Sequence, residues 1–246
     1  MLILLPPSEG KAAAPRRGAA LDLDRLSLPA LSDARTTVVD DLVKLSGDPA
    51  LALTTLGLTP GLADEAARNE ALRTAPTLPA AALYTGVLYD ALGLASLTGP
   101  ALARARKQLL IFSGLWGAVR PADRIPSYRC SIGVRLPTVG PLAAHWRTAL
   151  PPVLDELAGD ALVLDLRSSA YASTWTPHNG VTVRVLHGGK VVSHFNKATK
   201  GRIVRALVLA GARPRTPAAL ATALRELGYT VDARTPRELD VTVEAL

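Results

Sequence analysis

Residues 107–123 read KQLLIFSGLWGAVRPAD, and this stretch decides the fold class. Its apolar run over 107–112 stops at Ser113, which predicts a buried strand that opens into a loop. The segment 161–166, ALVLDL, has the same character, and a helical pattern over 141–157 separates the two. Two buried strands joined through a helix predict a sheet with helices packed against it.

The other predicted elements extend this pattern over the whole chain. Residues 2–5 predict a first strand, and residues 229–243 supply one or two closing strands. Residues 181–186 and 190–195 flank a Gly-Gly turn, as the two strands of a β-hairpin would. Further helices are predicted over 33–45, 48–55, 61–73, 79–93, 197–211 and 216–227. Residues 1–246 therefore predict a single compact domain of mixed α/β (α+β) class, with helices around a mixed central sheet.

The composition narrows the class of protein. A chain of 246 residues with 48% hydrophobic and 20% charged residues has the composition of a globular protein. The single cysteine, Cys130, excludes an internal disulfide, and the four histidines lack metal-ligand spacing, so we expect neither a metal nor a cofactor. The apolar start of the chain stops at Pro6-Pro7, too early for a signal peptide or a membrane span. We therefore expect a cytoplasmic protein that does not contact membranes.

The charge of the chain favours acidic partners. The net charge is +7 and the isoelectric point is about 9.9, which suits nucleic acids, nucleotides or other anions. Because part of this charge comes from dispersed arginines, only clustered basic residues indicate a binding site.

The loop after the strand at 107–112 offers groups suited to a nucleotide. Its glycines let backbone N–H groups approach a ligand, arginines can fork onto phosphate oxygens, and aromatic rings can stack. The candidate residues in and after this loop are Ser113, Gly114, Trp116, Gly117, Arg120, Tyr128 and Arg129. A structural turn in which an arginine pairs with Asp123 remains an open alternative, because the loop has no complete phosphate-binding fingerprint.

A second candidate is the start of the helix predicted after His194. Asn196 is expected to cap this helix, and its first turn would carry Lys197 and Lys200. Cations there oppose the helix dipole, so a bound phosphate would satisfy the lysines and the free backbone N–H groups together. A solvated basic face explains the same residues, and both interpretations remain open.

Polar residues also follow the strand at 161–166, at the kind of strand end where open α/β sheets bind ligands. Ser168 could be a nucleophile only beside a base that the sequence does not assign, so a hydrogen-bond donor or a helix cap is the simpler role. Tyr171 and His194 are further pocket candidates. Cys130 is either an oxidant sensor or a buried structural thiol. The sequence assigns no catalytic residue.

These segments, taken together, resemble the peroxide stress protein YaaA family. The resemblance rests on the order and spacing of several short motifs along nearly the whole chain. They are Pro7-Ser8-Glu9-Gly10-Lys11, Tyr84-Thr85-Gly86, Ser113 to Pro121, Tyr128-Arg129, His145-Trp146, Ser168 to Tyr171 and Lys197 to Gly201. Ser8 and Lys11 of the first motif join the candidate residues on this ground. Trp116 stands where the family usually has Tyr.

The resemblance implies a compact mixed α/β fold with a basic cleft and a role in limiting damage from peroxide and free iron. It also implies binding of double-stranded DNA and a helix-hairpin-helix-like element, for which residues 58–62 are the candidate turn. It implies no established reaction.

Two functions of different classes follow. In the first, one basic cleft binds double-stranded DNA through its phosphates without reading sequence. In the second, the same cleft is the pocket of an enzyme that acts on a nucleotide or another small phosphorylated substrate, with Ser168, Tyr171 or Lys197 acting on it. The residues expected to line this cleft are Lys11, Arg120, Arg129, Lys197 and Lys200.

Overall fold

The structure is a computed structural model that describes residues 1–187 and 193–243. Its main sheet has seven strands in the order β10-β11-β9-β8-β1-β3-β4, and two small two-stranded sheets pair β2 with β5 and β6 with β7. In chain order the strands are β1 (Leu2–Leu5), β2 (Leu78–Pro79), β3 (Leu109–Ser113), β4 (Gly117–Val119), β5 (Arg124–Ile125), β6 (Arg135–Leu136), β7 (Gly140–Pro141), β8 (Val163–Asp165), β9 (Gly180–His187), β10 (Thr230–Thr235) and β11 (Glu238–Val243).

Helices surround this sheet, and most of them precede β3 or follow β7. They are α1 (Ser32–Ser46), α2 (Pro49–Leu56), α3 (Ala63–Ala67), α4 (Ala80–Leu83), α5 (Val87–Leu92), α6 (Gly99–Gln108), α7 (Leu142–Ala158), α8 (Ser169–Ala172), α9 (Ser193–Ala210) and α10 (Pro217–Glu226). The mixed sheet with its surrounding helices confirms the predicted fold class. In the described part of the chain, no helix is long and apolar enough to cross a bilayer.

β1 is an interior strand of the sheet, and all four of its residues are apolar. They are buried, as expected of a strand covered on both faces. β3 pairs with one side of β1 and β8 with the other, both in parallel, so that Leu4 lies opposite Leu110 on one side and Asp165 on the other. The chain therefore leaves β1 in one direction and later returns on its other side.

Because β1, β3 and β8 are parallel, their carboxyl ends lie at one edge of the sheet and their amino ends at the opposite edge. Open α/β sheets bind ligands at the carboxyl ends of the strands where the order reverses. We call the region at the carboxyl ends of β1, β3 and β8 the carboxyl edge. We call the region at the amino ends of the same three strands the amino edge.

The hairpin predicted over 181–195 is wrong. β9 has β8 on one side and β11 on the other, both parallel to it, so neither side is left for a hairpin partner. Residues 193–195 belong to α9, and residues 188–192 of the expected turn and second strand lie outside the described residues. β-Branched residues over 181–186 indicated a strand correctly, but they do not identify its neighbours.

The single helix predicted over 79–93 is in fact two short helices, α4 and α5. Thr85 between them donates its N–H to Gly10 O, a bond to the turn after β1 that a continuous helix could not make. Gly86 has φ of 98°, in the region that favours glycine, and a Cβ there would lie 3.2 Å from Ser8 Oγ. The break therefore brings the segment around Tyr84 to the carboxyl edge.

Candidate functional site

The turn after β1 places Lys11 at the carboxyl edge. Lys11 pairs with Tyr84 as an isolated antiparallel bridge. Its Nζ donates to Ser8 O at 3.0 Å, and it lies 4.4 Å from the centroid of the Tyr128 ring and 5.8 Å from that of Tyr84. The amine is thus held between the turn and two aromatic rings, and these contacts bring together three residues of separate sequence motifs.

Burial changes the protonation of this amine. It lowers the pKa of Lys11 to about 8, although Glu9 and Glu65 oppose the shift, and Arg129 adds to it. Within the described residues, no carboxylate forms an ion pair with Lys11. About a tenth of the Lys11 side chains are therefore neutral at pH 7, and a neutral lysine amine is a base and a nucleophile.

Arg129 lies beside Lys11, and its position is fixed from two sides. Its guanidinium contacts Glu9 and Glu65, each at 3.2 Å. Its backbone N–H donates to Asn69 Oδ1 at 2.9 Å, and Asn69 Nδ2 donates to Arg129 O at 2.8 Å. The Glu9 side chain is 65% exposed, so an anionic ligand can replace it on the guanidinium without burying a free carboxylate.

A chain of hydrogen-bonded hydroxyl groups connects Ser113 with the two tyrosines. Ser113 Oγ lies 2.6 Å from Tyr128 Oη, which in turn lies 2.8 Å from Tyr84 Oη. All three residues are buried. Burial raises the pKa of Tyr84 to about 12 and that of Tyr128 well above its usual range, so both phenols stay protonated at neutral pH.

Cys130 and Tyr171 complete the buried side of this site. Burial raises the pKa of the Cys130 thiol to about 12, an effect that outweighs the opposing charge of Lys11. The Tyr171 phenol also has a raised pKa because it is buried, and it hydrogen-bonds to the backbone of Ile132. Cys130 is therefore a protonated, unreactive thiol at neutral pH, which favours the structural interpretation over the sensor.

A second group of charges follows β8. The Arg167 guanidinium is buried and forms a fork with Asp165, with N···O distances of 2.9 and 2.6 Å. It also lies 4.2 Å from the centroid of the ring of Phe112, a residue of β3. Lys200 is close enough for Asp165 to raise its pKa, but burial is the larger effect and lowers it. Ser168 is exposed and occupies the cap position of α8, although its side chain makes no capping bond.

The loop over 113–117 is structural and not a phosphate cradle. The N–H groups of Leu115 and Trp116 both donate to Ser113 Oγ at 3.1 Å, so neither is free for a ligand. Trp116 is fully buried and cannot stack on a ligand. A Cβ on Gly114 would lie 2.6 Å from the Ser131 backbone, and one on Gly117 would lie 2.6 Å from the Trp146 ring. These glycines therefore serve close packing.

Arg120 does not join Lys11 and Arg129 in one cleft. Its guanidinium donates to Arg106 O and Lys107 O at the end of α6, directly before the first residue of β3. Arg120 therefore lies at the amino edge, whereas Lys11 and Arg129 lie at the carboxyl edge. Its backbone N–H donates to Asp123 Oδ2 at 2.8 Å, as the structural-turn alternative expected of an arginine near that carboxylate.

The predicted helix start at 196–200 is also wrong. α9 is already helical at Ser193, so Asn196 is not a cap, and Lys197 and Lys200 lie in the second turn. The dipole acts mainly in the first turn, so their charges need no bound anion. Lys197 is exposed, and the side chain of His194 lies outside the described residues.

Gly201, which ends the same motif, has a packing role. A Cβ on it would lie 2.3 Å from Leu88 O, so this glycine lets α9 approach α5 closely.

Sequence reasoning missed several residues of the site. Tyr84 appears in the Tyr84-Thr85-Gly86 motif, and Asp165 stands among the polar residues at the end of the strand over 161–166, so both had a signal, whereas Asn69 and Glu65 carried no separable one. In the described residues, no group of His, Cys, Asp and Glu side chains is arranged to hold a metal ion.

The fold and this geometry define a class: a mixed α/β protein with a polar site where strand order reverses in a largely parallel sheet. Within that class, the family model described as peroxide stress protein YaaA matches residues 1–235. The chain belongs to the peroxide stress protein YaaA family, as its motifs predicted.

Similar curated proteins cover almost the whole chain. A UPF0246 protein of Streptomyces coelicolor is 59% identical over 244 residues, which cover 96% of this chain and 94% of that protein. A UPF0246 protein of Corynebacterium efficiens is 44% identical over 253 residues, covering 99% of each chain. A UPF0246 protein of Corynebacterium glutamicum is 42% identical over 241 residues, covering 94% of this chain and 95% of that protein.

Proposed function

We propose that the protein is an enzyme of the peroxide stress response that acts on a small anionic substrate, such as a nucleotide or a sugar phosphate, at the carboxyl edge. The observation that carries this proposal is the Lys11 amine, which is half-buried between the turn and two aromatic rings, has a pKa of about 8 and forms no ion pair in the described part of the chain. Holding such an amine costs stability, and perturbed groups of this kind concentrate at functional sites.

The surrounding groups suit a substrate of this class. Arg129 offers a planar fork for a phosphate or a carboxylate once the exposed Glu9 moves aside. The Tyr128 ring forms a wall on which a base or a sugar can pack, 4.4 Å from the amine. The hydroxyl chain ends at Tyr84, whose O–H can donate one hydrogen bond. Together these groups bind an anion, orient it and present a reactive amine.

Ligand binding tests the proposal directly. We expect adenosine 5′-monophosphate or ribose 5-phosphate to bind in calorimetry, and Lys11→Met to weaken that binding by about 10-fold or more, because a charge-assisted contact is lost. Lys44→Met is the matched control, since Lys44 is exposed on α1, and it should bind as the unaltered protein does. Binding that is absent, or that Lys11→Met leaves unchanged, would refute a substrate site here.

A second candidate function, non-specific binding of double-stranded DNA, is favoured by a different observation. A cavity of about 590 Å³ at the amino edge is lined by four basic side chains and one acidic one, Asp160. The basic residues are Arg104, Lys107, Arg213 and Arg215. The last three are exposed, and none of them forms an ion pair within the described residues. Exposed, uncompensated cations bind phosphates of any sequence.

We also propose that the protein is cytoplasmic and that it limits damage from peroxide and iron.

Filter binding of a random-sequence duplex over a salt series tests the DNA function. We expect affinity to fall steeply with salt, and Lys11→Met to leave it unchanged, because the two sites lie at opposite edges. Affinity that is independent of salt, or undetectable at low salt, would exclude DNA as a partner.

A further inference from the structure

The direction of the hydroxyl chain follows from counting donors and acceptors. A serine hydroxyl has one hydrogen to donate and two lone pairs that accept. Ser113 Oγ accepts from the N–H groups of Leu115 and Trp116, which occupies both lone pairs. Its hydrogen must therefore go to Tyr128 Oη, and the Tyr128 hydrogen in turn goes to Tyr84 Oη. The chain is directed from Ser113 through Tyr128 to Tyr84.

Tyr84 is the end of this chain, and its own hydrogen is left over. Tyr84 Oη accepts from Tyr128 at 2.8 Å, and the Ser113 hydroxyl is also close enough to lower the Tyr84 pKa. Each preceding hydroxyl polarises the next, so the terminal O–H is a strengthened donor. The Tyr84 backbone is paired with that of Lys11, and the Lys11 Nζ lies 5.8 Å from the centroid of the Tyr84 ring. The Tyr84 ring, which carries this donor, thus lies near the Lys11 amine.

We infer that Lys11 forms an imine with the carbonyl carbon of an anionic aldehyde or ketone, while Tyr84 donates a hydrogen bond to the carbonyl oxygen. This inference rests on the proposed function and names the substrate class of the same site. An amine that attacks a carbonyl needs a donor on the oxygen that becomes negative, and Tyr84 is positioned for that role. Arg129 binds the anionic group of the substrate.

The reaction needs no oxidant or reductant. The neutral Lys11 amine adds its lone pair to the carbonyl carbon, and one proton passes from the nitrogen to the oxygen to give a neutral carbinolamine. The hydroxyl group then takes one proton from the solvent and leaves as water, while the nitrogen lone pair forms the C–N double bond of a protonated imine. The neutral fraction of Lys11 is about 300-fold higher at pH 7 than that of an ordinary lysine, because its pKa is about 8. The protonated Cys130 thiol does not compete for the carbonyl.

Reductive trapping locates the imine. Glyoxylate, a small anionic aldehyde, is added with cyanoborohydride, which converts an imine into a stable secondary amine. A modified Lys11 resists trypsin, so the peptide 1–16 replaces the peptide 1–11 in the digest. We expect modification of Lys11 at least about 10-fold faster than that of exposed Lys44, with a rate that rises with pH around a midpoint near 8. Equal rates at the two lysines would overturn the inference.

Two variants and one neutral probe complete the test. Lys11→Arg keeps the charge and should abolish trapping at this position, with its folding checked by thermal melting. Tyr84→Phe should slow trapping about 10-fold while leaving the pH midpoint in place, because only the donor is lost. Acetaldehyde, which lacks the anion, should react more slowly than glyoxylate. A Tyr84→Phe variant that is trapped at the unaltered rate would remove Tyr84 from the reaction.

The outcome separates the two proposals. If calorimetry shows Lys11-dependent binding of ribose 5-phosphate but Lys11 is trapped no faster than Lys44, the imine is wrong and the binding site stands. If neither binding nor trapping depends on Lys11, both proposals fail.

Discussion

The two edges of the sheet use positive charge in opposite ways. At the carboxyl edge, Lys11 is half-buried beside two aromatic rings and Arg129 is paired with two carboxylates. At the amino edge, Lys107, Arg213 and Arg215 are exposed around a cavity and have a single acidic neighbour, Asp160. Burial lowers the pKa of a lysine amine and raises its neutral fraction, whereas an exposed cation stays charged. The first edge therefore suits a reaction and the second suits a polyanion.

The pKa of the Met1 amine reflects the positive charge at the amino edge. The Met1 amine has a lowered pKa, first because it is partly buried and then because Arg213, Arg215 and Lys107 lie near it. Side chains from two distant parts of the sequence, Lys107 and the pair Arg213 and Arg215, thus act on one point. Of the five basic residues first expected to form one cleft, Lys11 and Arg129 lie at the carboxyl edge, whereas Arg120 lies at the amino edge.

The largest expected effect is on DNA binding when two amino-edge arginines are removed. Arg213→Ala/Arg215→Ala should weaken binding of a random duplex by about 50-fold at 0.1 M salt and lower the salt slope by about 2, since two phosphate contacts are lost. Filter binding measures both. Wild-type affinity in this double variant would remove the amino edge from the DNA proposal and break the comparison.

A smaller effect is expected on stability when the buried amine is removed. The folded-state pKa of Lys11, about 8, lies below its unfolded value, so the burial penalty is fully present below pH 8 and is relieved as the pH rises towards 10.5. Lys11→Met should raise the free energy of unfolding by about 1–3 kcal/mol at pH 7, and the gain should shrink by pH 9.5. Urea denaturation at both pH values measures it.

The matched control for this prediction is Lys107→Met at the amino edge. Lys107 is exposed, so its removal should change the free energy of unfolding by less than about 0.5 kcal/mol at either pH. A Lys11→Met variant that is less stable than the unaltered protein, or whose gain is independent of pH, would show that the amine is not under strain.

The smallest effect is expected at Cys130. We predict that Cys130→Ala leaves peroxide protection in cells unchanged, because burial raises the pKa of the thiol to about 12 and no other cysteine is present to resolve an oxidised form. The thiol of the folded protein should react with a disulfide reagent far more slowly than that of the unfolded chain. Lost protection in a variant that still folds would make Cys130 a sensor.

Much of the fold could be predicted because its signals are local. The apolar runs at β1, β3 and β8 and the helical spacing of α1, α7 and α10 are properties of adjacent residues. The pairing of β9 could not be predicted in this way, since its neighbours are β8 and β11 rather than the next segment of the chain. A turn of two glycines indicated a hairpin, and the parallel neighbours overrode it.

The site was predictable in its parts but not in its grouping. The motifs identified Lys11, Tyr128 and Arg129, which the structure brings together. They also identified Trp116 and Gly117, whose importance lies in close packing, and a sequence alone does not separate a packing residue from a binding one. The pairing of Arg129 with Glu65, 64 residues away, has no local signal.

The place of β1 between β3 and β8 sets the order in which the sheet can be completed during synthesis. The partner strands begin at Leu109 and Val163, so β1 leaves the ribosome before both of them. At about 5–20 residues per second, the wait for β8 is roughly 10–30 s. β3 and the rings that contact Lys11 are made earlier, but until β8 emerges one side of four consecutive apolar residues stays unpaired, a target for chaperones. A strand that is made early is thus enclosed late.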